Sequence, residues 1–276
     1  MSNWSEGDLQ FEDVRIHYYR TGAGEKPPLV LLHGFSDNGL GWSEVAQAWE
    51  DDFDIILPDA RGHGLSSGSA SENYQQRAMA EDAAALIRAL DLGPVRLGGH
   101  SMGGGVAAVV ASEWPELVQA LMLEDAALFL PRERPAPSEE ETRQRYGWLF
   151  EARNQSLEER KAACQKNTGW SEVTAEQWAI SKGQLNTAIL STGSAPVVGV
   201  RPPLEVLSAV RCPLLLVTGD PARGALITPE RVAEILAIQP LARELHLPDT
   251  GHCIRYDQPQ VYAERVGAWL HNGADA

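Results

Sequence analysis

The chain has 276 residues, enough for one large domain or a domain with an insertion, and 43% of them are hydrophobic, enough to bury a sizeable core. A net charge of −15 repels phosphate backbones and anionic lipid surfaces, which disfavours nucleic acid and membranes as partners. The three cysteines, Cys164, Cys212 and Cys253, form no C-x-x-C or zinc-type spacing and are expected to be reduced thiols of a cytoplasmic protein.

Met1 to Glu6 has neither the basic nor the apolar segment of a secretory leader, and no stretch approaches the ~18 apolar residues of a membrane span. A soluble protein is expected. Val14 to Tyr19 alternates like a half-exposed strand, and Gly22 to Gly24 reads as a turn. Leu29 to Leu32 is a continuous apolar run, as expected of a strand buried on both faces. Asp54 to Leu57, Val95 to Leu97, Ala120 to Leu123 and Leu214 to Val217 look like its partners, with Glu244 to Leu247 as a last strand. Helical patterns at Met79 to Leu90, Val106 to Ser112, Pro229 to Ile238 and Pro259 to Leu270 separate them. Pro229 and Pro259 suit first-turn positions, where a missing N–H costs nothing. This alternation predicts a doubly wound, mostly parallel sheet with helices on both faces.

The alternation breaks after Leu130. Pro131 to Pro137 is rich in proline and charge, and Ser138-Glu139-Glu140-Glu141 reads as a helix start with acids at the positive end of the dipole. From there to about Pro203 the sequence is helical and polar, with Tyr146, Trp148, Phe150, Trp170 and Trp178 spread through it. It reads as a helical cap, residues 131–203, inserted into a core of residues 1–130 and 204–276. The cap aromatics either line a substrate cavity or staple short helices to the core.

G-x-S-x-G occurs twice. Gly64-Leu65-Ser66-Ser67-Gly68 sits in a glycine- and serine-rich loop with no strand feeding it and no helix leaving it. Gly99-His100-Ser101-Met102-Gly103 follows a strand and enters a small-residue helix, the context that exposes a serine Oγ on a sharp turn. Ser101 is therefore the candidate nucleophile. Acyl transfer also needs two N–H donors aimed at the developing oxyanion. The Met102 amide at the helix N-terminus is one, and the Phe35 amide in His33-Gly34-Phe35, after the strand Leu29 to Leu32, is the other. His33 itself reads as a buried imidazole bonded to nearby backbone. Cys253, beside His252, reads as structural.

Four segments, in this order, resemble the α/β-hydrolase superfamily across essentially the whole chain. His33-Gly34-Phe35 is similar to its oxyanion loop, and Asp59 to Ser66 to its loop after the fourth strand. Gly99 to Gly104 resembles its nucleophile elbow, and Thr250-Gly251-His252 its histidine segment. Ser101 disfavours members with an aspartate nucleophile, such as haloalkane dehalogenases and epoxide hydrolases. The resemblance implies the chain order nucleophile, acid, histidine. Of seven histidines, only His252 lies on a loop after the last strand. His17, His33 and His63 precede Ser101, His100 adjoins it, His246 falls in a strand and His271 in the tail.

Relatives commonly carry the acid about three residues past a glycine after the strand Leu214 to Val217. Here that position is Ala222, and Asp220 reads as a cap on the turn into Pro221. A minority place the acid at the end of the preceding strand, where this chain has Glu124-Asp125. Asp125 is preferred, Asp220 second and Glu124 third. Side chains alternate along a strand, so Glu124 and Asp125 point apart. The resemblance thus implies a serine hydrolase of carboxylic esters, lactones or related acyl compounds, with no metal or organic cofactor and a small hydrophobic substrate as its partner. Two rivals stand beside it: carbon–carbon hydrolysis of a ring-cleavage dienoate, whose anionic substrate would need Arg61 or Arg223 to point inward, and slow-turnover ligand sensing.

Overall fold

The computed structural model describes residues 4–129, 138–191 and 201–272. Its eight strands are β1 (Ser5–Phe11), β2 (Val14–Arg20), β3 (Pro28–Leu32), β4 (Asp54–Pro58), β5 (Val95–His100), β6 (Val118–Glu124), β7 (Leu214–Thr218) and β8 (Ala242–His246). They form one sheet in the order β1-β2-β4-β3-β5-β6-β7-β8. β2 pairs antiparallel with both β1 and β4, and every later pairing is parallel.

The helices follow in chain order. α1 (Ser43–Trp49) joins β3 to β4, α2 (Gln76–Ala89) joins β4 to β5, and α3 (Met102–Glu113) leaves β5. Between β6 and β7 lie α4 (Glu139–Asn154), α5 (Leu157–Thr168), α6 (Glu172–Gln184), α7 (Ala188–Ser191) and α8 (Pro203–Ala209). α9 (Pro229–Ile238) precedes β8, and α10 (Ile254–Asp257) and α11 (Pro259–Asn272) follow it.

Period-two alternation splits the strands between two cores. Val30, Leu32, Ile56, Leu121, Leu123, Leu214 and Leu216 pack with α2, α3 and α8 on one face. Leu29, Leu31, Ile55, Leu57, Met122, Leu215 and Val217 meet α1 and α11 on the other, around Trp42, Trp49 and Tyr262. Because both faces are covered, the centres of these strands are apolar on both sides, which is why they read as unbroken runs.

α4 begins where the sequence predicts a helix start. Ser138 and Ser156 each accept from the amide three residues on, and Glu141 and Glu159 reach back to them, so α4 and α5 both start with capping boxes. The expected break at 130–137 and the segment 192–200 lie outside the described residues. Leu149, Leu185, Ile189 and Leu190 join the core beside α2 and α3. Polar anchors tie the group to loops at the carboxyl end of the strands. Ser171 and Thr174 donate to Glu44 at 2.6 and 2.7 Å, and Asn38 donates to Gln184 at 2.9 Å. Among the described residues no helix is long and apolar enough to cross a membrane.

Candidate active site

At the end of β5 the chain turns sharply into α3, with Ser101 at φ 51°, ψ −112°, a conformation costly for any residue with a Cβ. The turn is this tight because two glycines admit backbone where a side chain would clash. A Cβ on Gly99 would lie 2.3 Å from the Gly103 carbonyl oxygen, and one on Gly103 would lie 2.3 Å from that of Leu32. Bonds to β6 and the loop after it hold the turn. The Ser101 amide donates to the Glu124 carbonyl at 3.0 Å, and the Ser101 carbonyl accepts from Ala127 at 2.9 Å.

The loop after β8 brings His252 to this turn. Its Nε2 lies 3.0 Å from Ser101 Oγ and its Nδ1 lies 2.6 Å from Asp125 Oδ2. With Nδ1–H donating to the carboxylate, the Nε2 lone pair faces the serine hydroxyl. Asp125 is fully buried and accepts further from the Leu226 and Ile227 amides at 2.8 and 3.0 Å. These come from the loop after β7, so the carboxylate is held by three donors distant in sequence, not by its own turn.

The neighbouring acids lie elsewhere. Glu124 points away from His252, as alternation requires, and binds Arg255 through both the side chain (3.1 Å) and the amide (3.0 Å). Asp220 pairs with His246 at 3.1 Å and accepts from the Asp249 amide at 2.8 Å. The expected side-chain cap on the Pro221 turn is absent; the Asp220 backbone carbonyl closes that turn by accepting from Arg223 at 2.8 Å.

Beside Ser101 lies the turn after β3. A Cβ on Gly34 would sit 3.5 Å from Ser101 Cβ. The Gly34 carbonyl accepts from His33 Nδ1 at 2.8 Å and from the Asp37 amide at 3.1 Å, while His33 Nε2 accepts from the Ala60 amide at 2.9 Å. One neutral tautomer satisfies both bonds of His33, and burial lowers its pKa to match. The peptide is planar and trans, so fixing the Gly34 carbonyl also fixes the Phe35 N–H on its opposite side. Among the described residues neither the Phe35 nor the Met102 amide has a hydrogen-bond acceptor of its own. Both donors are free beside the serine.

The second G-x-S-x-G is spent on structure. Ser66 Oγ accepts from the His17 amide at 2.8 Å and donates to the Asp59 carbonyl at 2.7 Å, stitching its loop to β2. Burial holds the His63 pKa down at about 3 and that of His100 well below the ordinary value. His100 Nε2 donates to the His252 carbonyl at 2.9 Å. Burial also pushes the Cys253 thiol far up, away from nucleophilic thiolate. Among the described residues no group of three or more His, Cys, Asp or Glu converges as a metal site.

Residues 27–259, which include Phe35, Ser101, Met102, Asp125 and His252, match the alpha/beta hydrolase fold family. The chain belongs to the α/β-hydrolase family. Within it, the chain is 28% identical over 274 residues to N-formylmaleamate deformylase of Pseudomonas putida, covering 96% of both chains. It is also 28% identical over 258 residues to Lipase 1 of Psychrobacter immobilis, covering 90% of this chain and 80% of the lipase. The crystal structure of the N-formylmaleamic acid deformylase of P. putida S16 shares the fold with a TM-score of 0.78 at 23% identity, covering 95% of this chain and all of that one. This α/β-hydrolase is thus similar both to a protein named as a lipase and to proteins named as deformylases.

The aromatics of the inserted helices divide. Trp170 staples, donating to Asp257 at 2.8 Å and packing on Tyr256. Trp148 and Trp178 stack on each other, and Phe150 is exposed. Tyr146, not weighed separately from the sequence, packs on the Phe35 ring with centroids 5.7 Å apart, so it is the aromatic that touches the candidate oxyanion turn. Arg61 is committed to Asp82 through two bonds of 2.7 and 2.8 Å, and Arg223 faces Asp249 at the surface. Arg61 is thus fully engaged, while Arg223 stays largely exposed.

Sequence reasoning also missed the Leu226 and Ile227 amides and the buried Lys182. Backbone donors carry no residue signature. Lys182 shares a helical face with Ala175 and Ala179, both fully buried, but only the structure shows that burial.

Proposed function

We propose that the protein is a serine acyl hydrolase acting on carboxylic esters, lactones or related acyl compounds. Ser101 is the nucleophile, His252 the general base, Asp125 the orienting acid, and the Phe35 and Met102 amides the oxyanion hole. One observation carries the reading: an unbroken relay of 3.0 and 2.6 Å from Ser101 Oγ through both ring nitrogens of His252 to a carboxylate held by two amides.

In this mechanism His252 Nε2 takes the Ser101 proton as Oγ attacks the acyl carbon. Asp125 steadies the imidazolium without taking its proton. The carbonyl oxygen, now anionic, receives the two free amides, aided by the N-terminal end of α3. Collapse expels the alcohol, protonated by His252, and leaves an acyl-serine that water hydrolyses through the same base. A formamide enters the same tetrahedral chemistry, which accommodates the similarity to a deformylase as well as to lipases.

We propose that residues 131–203 serve as a cap, of which Tyr146 packs on Phe35. We propose a hydrophobic acyl or alcohol portion, because the described contacts on that side are aromatic and Arg61 and Arg223 are engaged elsewhere. The test is labelling with a fluorophosphonate followed by peptide mapping, alongside nitrophenyl acetate and butyrate turnover. We expect stoichiometric modification at Ser101 and enzymatic release of nitrophenolate. Modification at Ser66, or none at Ser101, overturns the assignment.

A further inference from the structure

Beneath the site four charged side chains lie together in the interior: Asp37, Glu124, Lys182 and Arg255. Asp37 lies in the turn after β3, Glu124 at the end of β6 and Arg255 in α10. Lys182 comes from α6, is 1% exposed, and spends all three of its N–H groups. It donates to the Ser36 carbonyl at 2.9 Å, Asp37 Oδ1 at 2.8 Å and Ser181 Oγ at 3.1 Å. Asp37 Oδ2 accepts from the Tyr256 hydroxyl at 3.1 Å, with Arg255 Nη2 at 3.6 Å. Arg255 continues to Glu124 at 3.1 Å.

The frame touches the segments that carry Phe35, His252 and Asp125. Ser36 follows Phe35, Arg255 lies three residues past His252, and Glu124 precedes Asp125. Ser36 is also held at φ 64°, a left-handed conformation that a serine leaves unless its surroundings hold it. Burial pushes the Asp37 carboxyl up, but the Lys182 ammonium and the Arg255 guanidinium together outweigh it and hold the group well below the usual range. Asp37 is thus an anion whose nearest cation arrives with α6.

We propose that Lys182 is a positioning residue: by gripping the Ser36 carbonyl and the Asp37 carboxylate it holds the left-handed turn that aims the Phe35 N–H, so that the seating of α6 completes the oxyanion hole. This rests on the acyl-transfer reading above. Lifting α6 removes the donor from Ser36 and the nearest cation from Asp37 in one movement. His33 and the Asp37 amide still hold the Gly34 carbonyl, so α6 supplies the remaining hold on this turn, from its Ser36 side.

The test uses the full chain with Lys182→Met and the double variant Lys182→Met/Asp37→Asn. The double variant removes one charge of each sign, leaving Arg255 and Glu124 paired. Three quantities are read: the urea midpoint, amide hydrogen exchange across residues 33–38, and kcat and KM on a nitrophenyl ester. For Lys182→Met we expect about tenfold faster exchange in 33–38 and a roughly 10–100-fold fall in kcat with KM within about threefold. The double variant should regain the urea midpoint yet keep the fast exchange and low kcat, because the Ser36 carbonyl still lacks its donor. Where Lys182→Met fails to fold, the double variant decides. Wild-type protection and kcat in either folded variant overturn the proposal and leave the ion pair a purely structural one. Should the wild-type protein not turn over esters, the acyl-transfer reading falls, while exchange at 33–38 still decides whether Lys182 holds the turn.

Discussion

Ser66 and Ser101 sit in the same five-residue pattern, yet the two segments do opposite things with it. Around Ser66 the hydroxyl makes two bonds to backbone, and its φ is ordinary. Around Ser101 the backbone is strained, the hydroxyl faces an imidazole, and two amides are left free. The first segment spends its polar groups on stability, and the second leaves them unspent. Strain and unspent donors, not the letters of a motif, distinguish the copy proposed as reactive.

The sharpest way to break this contrast is to remove each hydroxyl. Ser101→Ala should lower kcat on the order of 10⁵–10⁶-fold, whereas Ser66→Ala at matched folding should stay within about threefold, because it touches no reacting atom. Steady-state assays on a nitrophenyl ester decide it. Next comes the acid that serves only one of the two serines. Asp125→Asn should cost on the order of 10⁴ in kcat, by presenting His252 with the wrong tautomer. Asp220→Asn, bonded to His246 and Asp249, should remain within tenfold. The reverse ranking would move the relay to β7.

Acid sensitivity extends the comparison, because each segment carries a buried neutral histidine, His63 near Ser66 and His100 beside Ser101. Both have folded pKa values below the unfolded value of about 6.5, His63 at about 3. The unfolded chain therefore binds more protons as pH falls, and stability present above about pH 6.5 is lost below it. The slope is about 1.4 kcal/mol per pH unit for each group, roughly 3 for the pair near pH 5. Urea midpoints at pH 7.5 and 5 measure it, and His63→Gln or His100→Gln should each flatten the curve. The smallest effect has opposite signs at the two serines. Ser66→Ala should destabilise by about 1–2 kcal/mol through its two lost bonds, while Ser101→Gly should stabilise by about 1 kcal/mol by relieving φ 51°. Thermal melts of the two variants would show the divergence.

How far this was legible in the sequence follows from the same physics. β3, β4, β6 and β7 were readable because burial on both faces demands apolar residues at their centres. β1 was not: Ser5–Phe11 pairs only with β2, is largely exposed, and carries a polar sequence. α1 was also unforeseen, being seven residues long and interrupted by no cap signal. The strand leading to Ser101 runs on through Gly98 and Gly99, which strand propensity would exclude. Ser101 and His252 were legible because context and chain order single them out. The acid stayed open among Asp125, Asp220 and Glu124, since the choice depends on which face each strand end turns to the histidine. Lys182 was hidden because a lysine in a polar helix reads as solvated until tertiary contacts bury it.

The clamp on Asp125 has a consequence for drift in sequence. The loop after β7 contributes no side chain to the relay, only the N–H groups of residues 226 and 227. Nearly every amino acid offers the same N–H, so the exposed Leu226 can change its lettering freely while its office stays constant, whereas the buried Ile227 must also stay apolar. Proline is the one replacement that erases the contribution outright. A comparison of descendants should therefore find position 226 variable, position 227 varied among apolar residues, and both avoiding proline.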